Sequence, residues 1–197
     1  TAFRKSNPNK YSKISTIESK NGQEKETFEQ YICNIKNYQN WIKMKAKIEI
    51  KEMPQLHLAF ITQIGQIGME NTYAKLIKWA TPKGLLQNEN LKIVTIYHDS
   101  FKITEPEKVR MSACISLNQK VEVSGEIGLT TIEKGKCIVG HFEIALHEFE
   151  KSWSSLFIWM NENGYKKADQ NPYEIYYNNF NEHPEKLSIV DLCIPIE

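Results

Sequence analysis

Two stretches of this chain repeat one another, and that duplication limits the folds open to it. Leu76, Trp79 and Gly84 recur as Leu156, Trp159 and Gly164, eighty positions on. Ile96-Tyr97 and Cys114-Ile115 recur as Ile175-Tyr176 and Cys193-Ile194, seventy-nine positions on. One deletion between helix and strand accounts for the change of register. A unit that cannot cover its own apolar face buries it against its twin. The expectation is two halves related by a pseudo-two-fold axis with a groove between them, and clefts between packed halves commonly hold ligands.

Periodicity gives the content of each half. "MENTYAKLIKWATPKGL" predicts a helix, with Tyr73, Leu76, Ile77 and Ala80 on one stripe. Pro82 should stop the regular helix and Gly84 should end the segment. Before it, "KAKIEIKEMPQLHLAFITQI" predicts strands interrupted at Pro54; after it, "LKIVTIYH" and "RMSACISL" predict two more. The series then recurs: "GEIGLTTIEKGKCIVGHFEI" as strand, "ALHEFEKSWSSLFIWMNENGY" as helix with Phe149, Trp153, Leu156, Phe157 and Met160 on its stripe, then "YEIYYN" and "LSIVDLCIPI". Each half is a β-α-β-β unit, spanning 45–118 and 122–197, and the class is α+β. Residues 1–44 are rich in Lys, Asn and Ser and carry turn signals. They read as a tail or linker, with one short element around Phe28–Tyr38.

Composition excludes more than it selects. At 197 residues the chain suits one ordinary domain or two small halves packed together. Its 25 basic and 24 acidic residues are unevenly placed: residues 1–25 hold six basic against two acidic, leaving 19 against 22 in the remainder. Charge therefore gives the main body no nucleic-acid-binding surface. Apolar runs fall short of the roughly 18 residues that span a bilayer, and no N-terminal signal is visible. The expected location is the cytoplasm, with no membrane partner. Cys33, Cys114, Cys137 and Cys193 have no metal spacing and read as reduced thiols. Neither a metal nor a cofactor is expected. Gly65–Gly68, "GQIG", is too short a signal for a phosphate loop.

One carboxylate stands out. "NPYEIYYNN" sets Glu174 in an aromatic, β-branched strand, on the face shared with Tyr176, while Tyr173, Ile175 and Tyr177 take the other face. It reads either as a solvated acid on an edge strand or as a pocket acid. Its repeat mate, Thr95, is neutral although the flanking Ile and Tyr are kept, so the acid is not demanded by the scaffold. Tyr97, the mate of Tyr176, belongs on the same face. Tyr73 and Trp153 are mates on the helical stripes, where core packing and ligand contact are both open. Trp79 and Trp159 fit packing. His98 and Asp99, adjacent on a strand, point to opposite faces and do not make a catalytic pair. His141, Glu143 and His147 lack a metal-binding spacing. His141 and Phe142, near a strand end, are candidate cavity residues.

Several of these stretches, "EIKEMPQLHLAFI", "KLIKWATPKGL", "IYHDS", "GKCIVGHFEI", "NPYEIYYNN" and the terminal "VDLCIPIE", resemble in order the GyrI-like effector-binding domain, over about Lys45 to Glu197. That domain occurs alone and behind the DNA-binding domain of AraC-type transcription regulators. The head "TAFRKSNPNKYSK" resembles the end of an AraC-type helix-turn-helix domain with its linker. The resemblance implies two β-α-β-β repeats and a cavity for small apolar or amphiphilic molecules, with Glu174 of the E-x-Tyr strand as its acid and Tyr176 beside it. The family often has an Asp-Pro turn where this chain has Asp99-Ser100-Phe101, which makes Phe101 a candidate lid or wall.

The function expected from the whole is small-molecule sensing for an AraC-type regulator, not catalysis. The ligand-binding set is Glu174, Tyr176, Tyr97, Trp153, Tyr73, Phe101, His141 and Phe142. The partners are an amphiphilic or aromatic ligand, DNA only through a helix-turn-helix domain outside this sequence, and a second copy in a homodimer. Two rivals from other classes are a hydrolase of reactive electrophiles, using Glu174 to activate water, and a gyrase- or toxin-binding module. The AraC-like head favours the sensor over both.

Overall fold

The computed structural model describes residues 28–65 and 67–197. The resemblance of Thr1–Lys13 to an AraC-type domain lies outside the described residues. Helix α1 (Phe28–Lys45) runs without a break into strand β1 (Ala46–Met53); it is longer than the short element expected there. There follow β2 (Leu56–Ile64), α2 (Met69–Ala80), β3 (Ile93–Tyr97), β4 (Arg110–Ser116), β5 (Gly128–Ile132), β6 (Gly135–Ile144), α3 (Phe149–Glu162), β7 (Tyr173–Tyr176) and β8 (Ser188–Pro195). As Pro82 requires, α2 stops at Ala80, and a single 3-10 turn leads to Gly84 in the left-handed region at φ +67°.

The eight strands form one antiparallel sheet in the order β1-β6-β8-β7-β3-β4-β2-β5. Replacing each strand by its repeat mate (β1 with β5, β2 with β6, β3 with β7, β4 with β8) reverses this order and leaves it unchanged. The duplication is thus a pseudo-two-fold axis, running between β3 and β7. Each half holds two strands before its helix, parted at Pro54 in the first half as expected and at Glu133-Lys134 in the second, where one run was expected, and the first of each pair crosses over: β1 pairs with β6, and β5 pairs with β2. The halves are laced together by these exchanged strands.

The sheet cannot be flat. Strands β1 and β2 stand six places apart in it, about 29 Å at the usual ~4.8 Å spacing. Only Pro54-Gln55 separates their ends, and three residue steps reach at most about 11 Å. The flanks therefore fold together, and Leu58, Val94, Ile96, Cys114, Cys137, Val139, Tyr173, Ile175 and Cys193 form a core on the face away from α2 and α3. On the other face α2 covers Ala59, Ile61, Ala113 and Ile115, and α3 covers Ile138, Phe142, Val190, Leu192 and Ile194. Gly140 lets α3 lie this close: a Cβ there would stand 2.6 Å from the Phe142 ring and 3.1 Å from Leu156.

The buried stripe of α2 is Thr72, Leu76 and Ala80; Ile77, expected inside, is 40 % exposed. Tyr73 packs at the margin of this core and points its hydroxyl at the sheet's central strands. In α3, Ser152 and Ser155 are buried beside Leu156 and Met160, and Trp153 is turned likewise.

Candidate functional site

The pseudo-axis passes between Thr95 and Glu174. They are repeat mates, and they are also direct cross-strand partners of β3 and β7. Both face the gap between α2 and α3, because Glu174 shares its row with Leu192, which lies under α3. Each meets the polar end of an aromatic side chain from the helix of its own half. The Trp153 indole N–H donates to Glu174 Oε1 at 2.8 Å. Its mate Tyr73 places its hydroxyl 2.9 Å from Thr95 Oγ1 and donates to the Val94 carbonyl at 2.8 Å. The duplication has kept the architecture and changed the chemistry on one side.

Glu174 is 0 % exposed. Tyr176, two residues along the same strand, donates its hydroxyl to Oε2 at 2.5 Å, and the hydroxyls of Tyr97 and Thr95 are close enough to favour the charged form. Among the described residues, no ion pair involves Glu174. Burial pushes its carboxyl above the ordinary range, and the hydroxyls and indole around it pull the other way without prevailing. Burial, followed by the charge of Glu174, also pushes Tyr97 and Tyr176 well above the phenol range. These phenols are donors at any physiological pH.

Aromatic rings continue outward from the acid. Tyr97 meets Trp153 edge-on at 5.6 Å and Phe101 edge-on at 5.1 Å. Phe157 stacks on Trp153 at 5.9 Å, and Phe149 lies 6.4 Å from Tyr176. Phe101, 43 % exposed, stands at the solvent end of this row. Its loop is clasped at the base by Arg110, whose guanidinium and backbone N–H both reach Asp99, holding that carboxyl down at about 2. Phe149 and Phe157 were visible in the sequence only as stripe residues. Their part in the ring row depends on how far α3 is turned, which periodicity does not fix.

Of the eight sequence candidates, the structure brings together Glu174, Tyr176, Tyr97, Trp153, Tyr73 and Phe101. Phe142 is on the same face but sealed beneath α3, with no exposed surface. His141 projects from the opposite face, because it pairs with Asp191, one residue before the α3-facing Leu192. There its Nδ1 sits 2.7 Å from Asp191 Oδ1, and Tyr177 donates to Oδ2 at 2.6 Å. The first half has the same trio in hydroxyl form: Ser112 contacts Thr62 at 2.9 Å and His98 at 2.7 Å. Both trios tie three neighbouring strands together. No group of three or more metal-ligating side chains occurs among the described residues.

The GyrI-like small molecule binding domain family matches residues 46–197. The chain belongs to this family. Candidate transcriptional regulator YosT, a SPbeta prophage-derived protein of Bacillus subtilis (strain 168), is 28 % identical over 123 residues, which cover 59 % of this chain and 79 % of YosT. The GyrI-like domain also superposes on the C-terminal domain of EcmrR with a TM-score of 0.64 at 19 % identity, covering 77 % of this chain and 98 % of that one. The same score is reached with EcmrR in a complex with DNA, at 18 % identity, covering 85 % of this chain and 65 % of that one. A hydrolase from Listeria innocua shares the fold, with a TM-score of 0.56 at 12 % identity over 78 % of this chain and 93 % of that one. The α1 helix lies outside the matched family segment yet packs on the GyrI-like domain through α3.

Proposed function

We propose that this chain is the effector-sensing part of a transcription regulator and that Glu174 selects lipophilic cations. The observation that carries the reading is a fully buried carboxylate, walled by aromatic rings, with hydrogen bonds from Trp153 and Tyr176 and no cationic partner among the described residues. Burying an ionised carboxylate is costly unless a counter-charge completes it. A ligand cation supplies that charge, and Tyr97, Trp153 and Tyr176 offer ring faces to it. Family membership and the regulator relatives support a sensing role. The attribution to an AraC-type regulator rests on the Thr1–Lys13 stretch of sequence, and DNA contact and any dimer are assigned to the intact regulator.

Hydrolysis fits the site less well. A raised carboxyl pKa suits a general base, but both oxygens of Glu174 already accept hydrogen bonds from Trp153 and Tyr176. A water to be activated would have to enter beside them, at a carboxylate with no exposed surface. The test is thermal stabilisation by matched probes: tetraphenylphosphonium, its neutral analogue triphenylphosphine oxide, and tetraphenylborate. Ligand at ~100 times its Kd stabilises by about 2.7 kcal/mol, so the cation should raise Tm by several degrees and the other two by much less. Equal shifts from all three would refute the reading.

A further inference from the structure

The α1 helix lies across α3 and touches it on the residues beside Trp153. The Trp41 indole N–H donates to Ser152 Oγ at 3.3 Å, and Ser152 is 0 % exposed. Ser152 in turn donates to the Glu148 carbonyl at 2.9 Å. The Lys151 ammonium lies 4.2 Å from the centre of the Trp41 ring, and Lys45 approaches both that ring and Glu148. Further along, Gln39 donates to Glu162 at 2.5 Å. Between these ties a groove of about 400 Å³ stays open, lined by Ile42, Lys43, Ile48, Ser155, Trp159 and Glu162. The α1–α3 contact is thus made at its two ends and through the buried Ile42, with the groove left open beside it.

Consecutive residues of α3 therefore face two sites: Ser152 holds α1, and Trp153 caps Glu174. Glu174 has no exposed surface, so a cation reaching its carboxylate must move one of the groups that enclose it. Trp153 is the donor carried by a helix rather than by the sheet. We infer that Trp41 and Ser152 are positioning residues for Trp153, so that ligand entry at Glu174 and docking of α1 on α3 form one linked equilibrium with opposite signs. This rests on Glu174 being the ligand site. Linkage is reciprocal: the factor by which ligand loosens α1 equals the factor by which a loosened α1 tightens ligand.

Cys33 supplies the reporter. It is exposed on α1, whereas Cys114, Cys137 and Cys193 are buried. The protein is labelled there with a maleimide fluorophore and titrated with tetraphenylphosphonium, and the anisotropy of the label is followed. Ligand should lower it. Trp41→Phe, which removes the N–H, and Lys151→Gln, which removes the cation over the ring, should each bind tetraphenylphosphonium more tightly, by about fivefold for a typical coupling. A merely structural role would weaken binding instead. Unchanged anisotropy at saturation, with unchanged or weaker binding in both variants, would overturn the inference while leaving the ligand site intact. No binding to the wild-type protein would remove the ligand site and this inference with it.

Discussion

Glu174→Gln tests whether charge or shape does the selecting. The substitution keeps the side chain's size, leaves an oxygen for the Trp153 N–H, and offers an amide to the Tyr176 hydroxyl, which can reverse its role. What disappears is one negative charge in a site with no exposed carboxylate surface. For a ligand cation ~5 Å from that charge at an effective dielectric constant of ~20, the loss is about 3 kcal/mol. That is roughly two orders of magnitude in Kd. Ring contacts worth about 0.5–2 kcal/mol each remain, so binding should weaken without vanishing. Isothermal calorimetry with tetraphenylphosphonium and triphenylphosphine oxide on both proteins measures the difference. The neutral ligand should change less than about threefold, because it loses no charge pair. Because burial raises the Glu174 carboxyl pKa, wild-type affinity for the cation should also climb as pH rises through that range, and the Gln variant should stay flat. Equal weakening of both ligands would make Glu174 a scaffold residue and refute the charge argument.

Three further outcomes are expected. In the ligand-free protein Glu174 binds its proton more tightly folded than unfolded, so stability should fall as pH rises from the ordinary 4.5 through the raised value; melting curves across that window should show Glu174→Gln gaining on the wild type as pH increases. Gly140→Ala puts a methyl 2.6 Å from the enclosed Phe142 ring and should cost about 1–3 kcal/mol by urea denaturation, whereas Gly128→Ala, which meets the half-buried Phe60 ring at 2.5 Å, should cost less because that ring can swing aside. His141→Ala, on the far face of the sheet from Glu174, should leave the Kd for tetraphenylphosphonium within about twofold of the wild type, since separated sites act independently.

What the sequence revealed and what it hid divide along physical lines. The helices, the strand faces and the correspondence of Tyr97 with Tyr176 were legible because they follow from spacing along the chain. The offset between repeats even picked out Thr95 and Glu174, which face each other across the axis. Partnerships between distant segments were not legible. Nothing in the alternating "KAKIEIKEM" tells β1 to pair with β6 of the other half. "GLTTIEKGK" turns at Glu133-Lys134 without a Gly-Asn type signal, and so passed for one strand instead of two. His141 was placed near the cavity by its position along the strand, but its side chain's face depends on register, and one residue decides it. The docking of α1 was hidden for another reason. Its anchors are the Trp41 indole, two lysines, Gln39 and the one buried side chain of Ile42, a set too sparse to leave a periodic trace.

The position of the acid has a physical logic of its own. At a pseudo-two-fold axis, repeat mates stand opposite each other, and directly paired side chains in an antiparallel sheet have Cβ atoms about 4.5–5.5 Å apart. Two carboxylates there, buried and without a cation, would repel, and one of them would hold its proton. A charged site on this axis is therefore stable with one acid and unstable with two. The duplication must break its symmetry here if it is to carry charge at all. Thr95 answers Glu174 with a neutral hydroxyl, where a second acid would compete with it. The aromatic donors Tyr73 and Trp153 follow the same division: the phenol serves the neutral side, and the indole, which can only donate, serves the acid. The half bearing the acid is also the half whose helix carries α1. Charge, donor and contact with α1 thus fall on one side of a fold whose two sides began alike.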